Sequence, residues 1–381
     1  MNCDGSVHGL VLSGGAANAA YEVGVLRGLT DGISASTGYH PLAPQVYSGT
    51  SAGAFNAALM ASWPGENASD VAHWLEHVWV NMVAEHCGCG NGIYRIRGDL
   101  GDMIGCASHD FYATLAADIT AVGGRWLEWA RLAADGRTST AQALLGLLDV
   151  AAYIDRSPFE ELLERVLRPA AIRANPNPLR VAVTEWLSGE LRIFHNRDMT
   201  DNAAKWIVTA STSIPGFFRP VQGPGEIYVD GGVVMDTPLL PAIQAGADVL
   251  HVVYADPDVR NIPIGVIDSL PGAMDRLWMV IKASVIGRDI ELARRINRSL
   301  AEARRGERNR RSDGRPYRQI TIHAYHPDED TGGTAGLLDM DRGRIERLIQ
   351  LGYREAAEHD CARENCLLPE TAGESSWQRT A

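Results

Sequence analysis

Two strand–turn–helix units follow each other at the start of the chain, and each has a glycine-containing turn. In the first, the apolar segment Val7–Leu12 leads into Ser13–Asn18 and then into helical spacing over Ala19–Leu29. In the second, the β-prone pair Val46–Tyr47 leads through a Gly-x-Ser-x-Gly turn into the helix-forming stretch Ala54–Met60. Successive units of this kind predict a parallel sheet with helices against it.

Further strand patterns follow at Leu179–Glu185, Leu191–His195, Glu226–Val229, Val249–Tyr254 and Gln319–Tyr325. The first two flank the turn residues Leu187–Glu190, which indicates an antiparallel hairpin. We therefore expect an α/β fold: a three-layer sandwich whose central sheet is mixed, mainly parallel and flanked by helices.

The strand signal stops between Val71 and Leu167, where apolar residues recur at helical spacing instead. This predicts a helical insert at about 71–167. Its stretch Ala141–Ile154 is apolar on most of its circumference, which fits a buried helix better than a cap over a lipid site. We expect one domain over residues 1–367 and a flexible C-terminal tail over 368–381.

Composition excludes several classes of protein. The 381 residues carry a formal net charge of −12, which argues against general nucleic-acid binding. The N-terminal residues lack the pattern of a secretory signal, and no apolar run reaches the length of a membrane span. A cytoplasmic protein is expected, with any membrane contact peripheral. The basic segment Arg288–Arg318 is either a surface for phosphate headgroups or, slightly preferred, a solvated helix face and loop.

Six cysteines show neither a disulfide framework nor paired metal spacing. Cys87 and Cys89 next to His86 lack the second ligand pair that zinc usually needs, so a loop is the better interpretation. The sequence predicts no metal and no cofactor, and it leaves the oligomeric state open.

Ser51 lies in the turn Gly49-Thr50-Ser51-Ala52-Gly53, between a strand and a helix. A nucleophile elbow needs this context, because the serine occupies a sharp turn whose small neighbours permit close backbone approach. The five-residue pattern alone is weak, since a glycine-softened structural turn has the same letters.

Two further features add to it. Asp230-Gly231-Gly232 follows a strand, so a carboxylate stands at a strand's carboxyl end, although Asp-Gly-Gly can also be an ordinary turn. The loop Ser13–Asn18 offers N–H groups beside a helix N-terminus, where they could hold an oxyanion.

Together with the helix end and proline-containing loop at Ala210–Val221, these segments resemble the patatin-like phospholipase family in order and type. The resemblance implies a lipid acyl hydrolase with a serine–aspartate dyad, no histidine and no metal. It implies Ser51 as nucleophile, Asp230 as general base, and the backbone of Gly14, Gly15 and Ala16 as oxyanion hole. A lipid or other acyl ester is the implied substrate.

The glycine loop departs from the family pattern. The family commonly has a third glycine, a basic residue and a last glycine where this chain has Ala16, Asn18 and Ala19. Asn18 can donate a neutral hydrogen bond, which is weaker than the charge-assisted bond of a basic residue, so ester hydrolysis in general is better supported than phospholipid as the substrate.

Two alternatives remain open at this stage. One is an α/β-hydrolase with a Ser-His-Asp triad, for which His195, His251 or His323 could serve, although its nucleophile usually follows several strands. The other is a non-catalytic lipid- or partner-binding module on the same fold.

Overall fold

The computed structural model describes residues 5–84, 92–96, 131, 154–257, 270–302, 318–332, 336–364 and 366–368. The strands of this part are β1 (His8–Leu12), β2 (Val46–Thr50), β3 (Arg95–Ile96), β4 (Ile154–Asp155), β5 (Leu179–Glu185), β6 (Leu191–His195), β7 (Val221–Gln222), β8 (Ile227–Asp230), β9 (Val249–Val253) and β10 (Thr321–Tyr325). Its helices are α1 (Ala20–Thr30), α2 (Ala52–Ala61), α3 (Ala68–Val78), α4 (Ser157–Val166), α5 (Pro169–Ala174), α6 (Ala204–Ser211), α7 (Leu239–Gln244), α8 (Leu270–Glu302) and α9 (Arg342–Ala357).

Within these residues, eight strands form one sheet in the order β10-β9-β1-β2-β5-β8-β7, with β6 also paired to β5. The pairs from β10 to β5 are parallel, while β6 and β8 run antiparallel to β5, and β7 runs antiparallel to β8. The predicted mixed, mainly parallel sheet and the predicted hairpin are both confirmed.

One edge of β5 is shared by two strands that run towards each other. The parallel neighbour β2 ends with Thr50 opposite Ala182, and the antiparallel neighbour β8 ends with Asp230 opposite Val183. Strand β6 pairs with the same stretch of β5 and so occupies its other edge. The carboxyl ends of β2 and β8 therefore meet at the middle of β5.

Helices cover both faces of the sheet. On one face Leu10 and Leu12 belong to a large core with α1, α2 and α9, and on the other Val11 and Val252 belong to a smaller core with α7 and α8. This gives the three layers expected from the sequence.

Helices α1 and α9 touch backbone to backbone. A methyl group at Gly24 would lie 2.0 Å from the carbonyl oxygen of Ile349, and one at Gly352 would lie 2.1 Å from that of Tyr21. Only glycine permits this approach, so α9 is held against the helix that follows the glycine loop.

The region predicted as a helical insert begins with α3, followed by a π-helical turn at Trp79–Val83. Val71, Leu75, Val78 and Trp79 of the predicted apolar face are buried. The short antiparallel pair β3–β4 was not expected, because two-residue strands leave no periodic pattern. Most of the stretch Ala141–Ile154 and the tail 369–381 lie outside the described residues.

None of the helices among the described residues is both long enough and apolar enough to cross a membrane. Part of the basic segment belongs to α8, and its residues 303–317 lie outside the described ranges.

Candidate active site

Ser51 is the residue between β2 and α2, and its backbone is in a conformation that L-residues rarely adopt, with φ 56° and ψ −131°. A methyl group at Gly49 would lie 2.3 Å from the carbonyl oxygen of Gly53, and one at Gly53 would lie 2.5 Å from those of Leu12 and Ser13. The turn is thus tight on both sides of the serine, which is the backbone geometry of a nucleophile elbow.

Asp230 is the last residue of β8, and its side chain is buried. Carboxylate oxygen Oδ1 accepts a hydrogen bond of 2.7 Å from the N–H of Gly232, which fixes the rotamer. The N–H of Asp230 donates to the carbonyl oxygen of Ser213. Gly231 passes close to β5, where a methyl group would lie 2.4 Å from the carbonyl oxygen of Ala182.

The meeting of β2 and β8 on one edge of β5 brings the backbones of Ser51 and Asp230 to neighbouring positions. Ser211, at the end of α6, joins the elbow to the same point of β5. Its hydroxyl accepts from the N–H of Ser51 at 2.9 Å and donates to the carbonyl oxygen of Ala182 at 2.7 Å. The segment Ala210–Val221 therefore contributes a serine hydroxyl that links the backbone of the elbow to β5 by hydrogen bonds.

The glycine loop lies directly beside the serine, since a methyl group at Gly14 would come 3.1 Å from Cβ of Ser51. The N–H of Gly14 donates to the main-chain carbonyl oxygen of Asp236 at 3.2 Å. Ala16 has φ 46°, the left-handed region that favours glycine. This explains why a third glycine suits the position, and it shows that alanine occupies it at some conformational cost.

Asn18 is fully buried and hydrogen-bonded on both sides of its amide. Its Nδ2 donates to Thr331 Oγ1 at 3.1 Å and to Asp256 Oδ1 at 3.3 Å, while Oδ1 accepts from the guanidinium of Arg344 at 2.5 Å. Arg344 comes from α9 and also donates to the carbonyl oxygen of Thr331. A guanidinium from another helix therefore contacts residue 18, where the family commonly has a basic residue.

Asp236 is a site-lining residue that the sequence analysis missed. A methyl group at Gly14 would lie 2.6 Å from its Oδ1, and one at Gly232 would lie 3.0 Å from Oδ1 and 3.1 Å from Oδ1 of Asp230. The buried carboxyl group of Asp236 therefore lies beside both the glycine loop and Asp230. The sequence could have indicated Asp236 only by its position six residues after Asp230, because the residues between them show no helix or strand pattern.

An aromatic cluster stands near Asp230. Tyr94 packs against Phe218 with 4.8 Å between ring centroids and against Phe159 with 6.2 Å. Burial, together with the negative charge of Asp230, raises the pKa of Tyr94 well above its ordinary value. Arg156 approaches the same region and donates to Ser213 Oγ at 3.1 Å. The described surroundings of Asp230 thus include apolar rings and a guanidinium group, together with the carboxyl group of Asp236.

The three histidines considered for a triad have other neighbours in the described structure. His251 is buried, with its ring stacked between those of His8 and His323. His195 begins the turn at Asn196–Asp198, and its N–H donates to Asp198. None of their contacts among the described residues is with Ser51. The candidate loop site at His86, Cys87 and Cys89 lies outside the described ranges.

This architecture defines an α/β protein with a serine in an elbow between strand and helix and an aspartate at the facing strand end. The family model described as patatin-like phospholipase matches residues 10–243. This is more than half of the 381 residues, so the chain belongs to the patatin-like phospholipase family.

Similar proteins with curated descriptions include uncharacterized NTE family proteins of Mycobacterium bovis and Mycobacterium tuberculosis. Each is 27% identical over 151 residues, which is 39% of this chain and 39% of the relative, so the match spans about two-fifths of either protein. Among solved structures, VipD from Legionella pneumophila is similar with a TM-score of 0.36 and 16% identity, covering 93% of this chain and 66% of that one.

Proposed function

We propose that this protein hydrolyses acyl esters of lipids through a dyad of Ser51 and Asp230. The observation that carries the proposal is the convergence of β2 and β8 on one edge of β5, which sets an elbow serine beside a buried carboxylate. Membership of a family of lipid acyl hydrolases supports the reaction class.

In the proposed acylation step, Ser51 Oγ attacks the acyl carbon while Asp230 accepts the hydroxyl proton. The carbonyl π electrons move to the oxygen, and their return expels the alcohol, which takes the proton from Asp230. In deacylation water attacks the acyl-serine, Asp230 accepts a proton from the water and returns it to Ser51, and the carboxylic acid leaves. Asp230 suits this role by its position, because it is a buried carboxylate at the strand end beside the elbow, and a general base must lie within reach of the proton that it accepts.

The oxyanion would be held by backbone N–H groups of the glycine loop, as the family resemblance implies. Gly15 and Ala16 are our main candidates within the set Gly14, Gly15 and Ala16. The N–H of Gly14 already donates to the carbonyl oxygen of Asp236, so its first role is to fix the loop beside Ser51.

The substrate class follows from what surrounds the dyad. Tyr94, Phe159 and Phe218 are buried rings near Asp230, and these apolar surroundings favour an acyl chain as part of the substrate. Asn18 is fully buried and bonded to Asp256, Thr331 and Arg344, which supports a role for it in the loop rather than in headgroup binding. We therefore propose a fatty-acyl ester without assigning a headgroup.

The test compares the wild type with Ser51→Ala and Asp230→Asn on p-nitrophenyl esters of several chain lengths and on phospholipid vesicles. Both variants should lose at least 1000-fold in kcat, in line with removal of a nucleophile or its base. Ser62→Ala is the matched control, since it removes another buried serine hydroxyl at the opposite end of α2. Unchanged turnover by Ser51→Ala would refute the proposal. Folded wild type that neither hydrolyses any ester nor reacts with a fluorophosphonate probe would instead favour a non-catalytic lipid-binding module.

A further inference from the structure

Four potential metal ligands converge at the edge of the sheet, away from the proposed dyad. They are His323 on β10 and His359, Cys361 and Cys366 from the segment that follows α9. One ligand atom from each lies within 4.8 Å of all the others, and both imidazoles are buried. The sequence analysis predicted no metal site, because the cysteines show no paired metal spacing: Cys361 and Cys366 are five positions apart, and His323 lies far from them in the chain.

The distances within the cluster fit a tetrahedral ion. Sγ of Cys361 lies 3.4 Å from Nδ1 of His323 and 3.5 Å from Nε2 of His359, and Sγ of Cys366 lies 3.5 Å from the same Nε2. With Zn–S near 2.3 Å and Zn–N near 2.0–2.1 Å, the nitrogen–sulfur edge of a zinc tetrahedron is about 3.5 Å. Three of the cluster's edges therefore already have the required length.

The surroundings also suit metal ligation. The N–H of Ala324 points at Sγ of Cys366 over 3.3 Å, a donor that would stabilise a thiolate.

The cluster joins the segment that follows α9 to the edge strand β10. Besides the cluster, Ile322 and Leu367 exchange two backbone hydrogen bonds of 2.8 and 2.9 Å, which pair the last described segment with β10. A metal bound to His323, His359, Cys361 and Cys366 would fasten that segment to the sheet edge and protect the edge strand from other pairing.

We propose that His323, His359, Cys361 and Cys366 bind one structural Zn²⁺ ion. The set of two thiolates and two imidazoles selects zinc among common cellular divalent ions. All four positions are filled by protein, so the ion has no open coordination site and serves stability rather than catalysis. The proposal is independent of the function proposed for Ser51.

The first experiment measures metal content by mass spectrometry of the full-length protein purified from zinc-supplemented culture without chelators. Wild type should carry about one zinc per chain, and Cys361→Ser combined with Cys366→Ser should carry less than a tenth of that. The matched control is Cys87→Ser combined with Cys89→Ser, which should keep its zinc. The assignment would be overturned if the Cys87/Cys89 variant lost its zinc while the Cys361/Cys366 variant kept it. Wild-type protein without zinc would also overturn it.

A second experiment uses the wild type alone, so it does not depend on whether a variant folds. Cys361 and Cys366 should resist alkylation in the native protein and become reactive when a strong zinc chelator is added, as mapped by peptide mass spectrometry. Cobalt exchanged for zinc should give the visible absorption of a tetrahedral ion with thiolate ligands. A Cys361–Cys366 disulfide in the purified protein, or equal alkylation with and without chelator, would contradict the proposal.

Discussion

The backbone conformation of Ser51 gives a prediction that concerns stability and is independent of substrate. Among the described residues, a positive φ at a non-glycine position occurs at Ala16, Tyr39 and Ser51. Strain of this kind costs on the order of 1–3 kcal/mol. Ser51→Gly should remove most of it, whereas Ser51→Ala should keep it, because both serine and alanine carry a Cβ.

The expected difference follows from two opposing contributions. Relief of strain favours the glycine variant by about 2 kcal/mol, and the greater freedom of glycine in the unfolded chain costs about 0.4–1 kcal/mol. The Ser51 side chain makes no capping hydrogen bond to α2, so loss of a cap does not enter. We expect Ser51→Gly to be more stable than Ser51→Ala by about 1 kcal/mol, while neither variant hydrolyses esters.

Equilibrium urea unfolding, followed by tryptophan fluorescence, is the suitable assay. In a chain of this length 1 kcal/mol moves the thermal midpoint by only about 1 °C, so the urea midpoint at constant m-value resolves the difference better.

Ser62 provides the control with the opposite sign. It ends α2 in the ordinary helical region, with φ −73° and ψ −7°, so there glycine should be less stable than alanine. The argument that the elbow is strained would be refuted if Ser51→Gly were no more stable than Ser51→Ala while Ser62→Gly remained less stable than Ser62→Ala.

Three other substitutions test the supports of the site and the fold. Ser211→Ala removes the hydroxyl between the N–H of Ser51 and β5, so kcat for ester hydrolysis should fall about 10-fold, with little change in KM, which steady-state kinetics would detect. Asn18→Arg should destabilise the protein by setting a second guanidinium against Arg344, and adding Arg344→Ala should recover part of the loss in urea unfolding. Burial raises the pKa of Glu355 to about 7, so its ionisation weakens the fold as pH rises from about 4.5 to 7. Glu355→Gln should lack that decline when unfolding midpoints are compared at pH 5 and pH 8.

Much of the fold could be predicted because its signals are local. β5 and β6 match their predicted bounds, since alternating or continuous apolar residues lie between clear turn residues. The elbow was predictable for the same reason, because strand, turn and helix fall within a few residues of Ser51. The catalytic roles of Ser51 and Asp230 remain predictions, which the geometry of the turn and of the strand ends supports.

The features that escaped prediction depend on contacts between distant residues. Asn18 contacts Arg344, which lies 326 residues further along the chain. His323 contacts Cys361 because the segment that follows α9 returns to β10. No periodicity or short motif records such pairs, and an isolated histidine on a strand looks like an ordinary strand residue.

The altered glycine loop shows how a distant residue can bring a cation to a motif position that lacks one. Asn18 has no charge, yet the guanidinium of Arg344 from α9 donates to its Oδ1. Helix α9 can supply it because Gly24 and Gly352 let α1 and α9 approach backbone to backbone. The loop that precedes α1 is thus tied to α9 by packing and by this hydrogen bond. The position of this loop beside Ser51 therefore depends on the interface between α1 and α9, which lies outside the motifs described above. Substitutions at Gly24 or Gly352 should therefore disturb the proposed oxyanion site even though they leave the loop sequence unchanged.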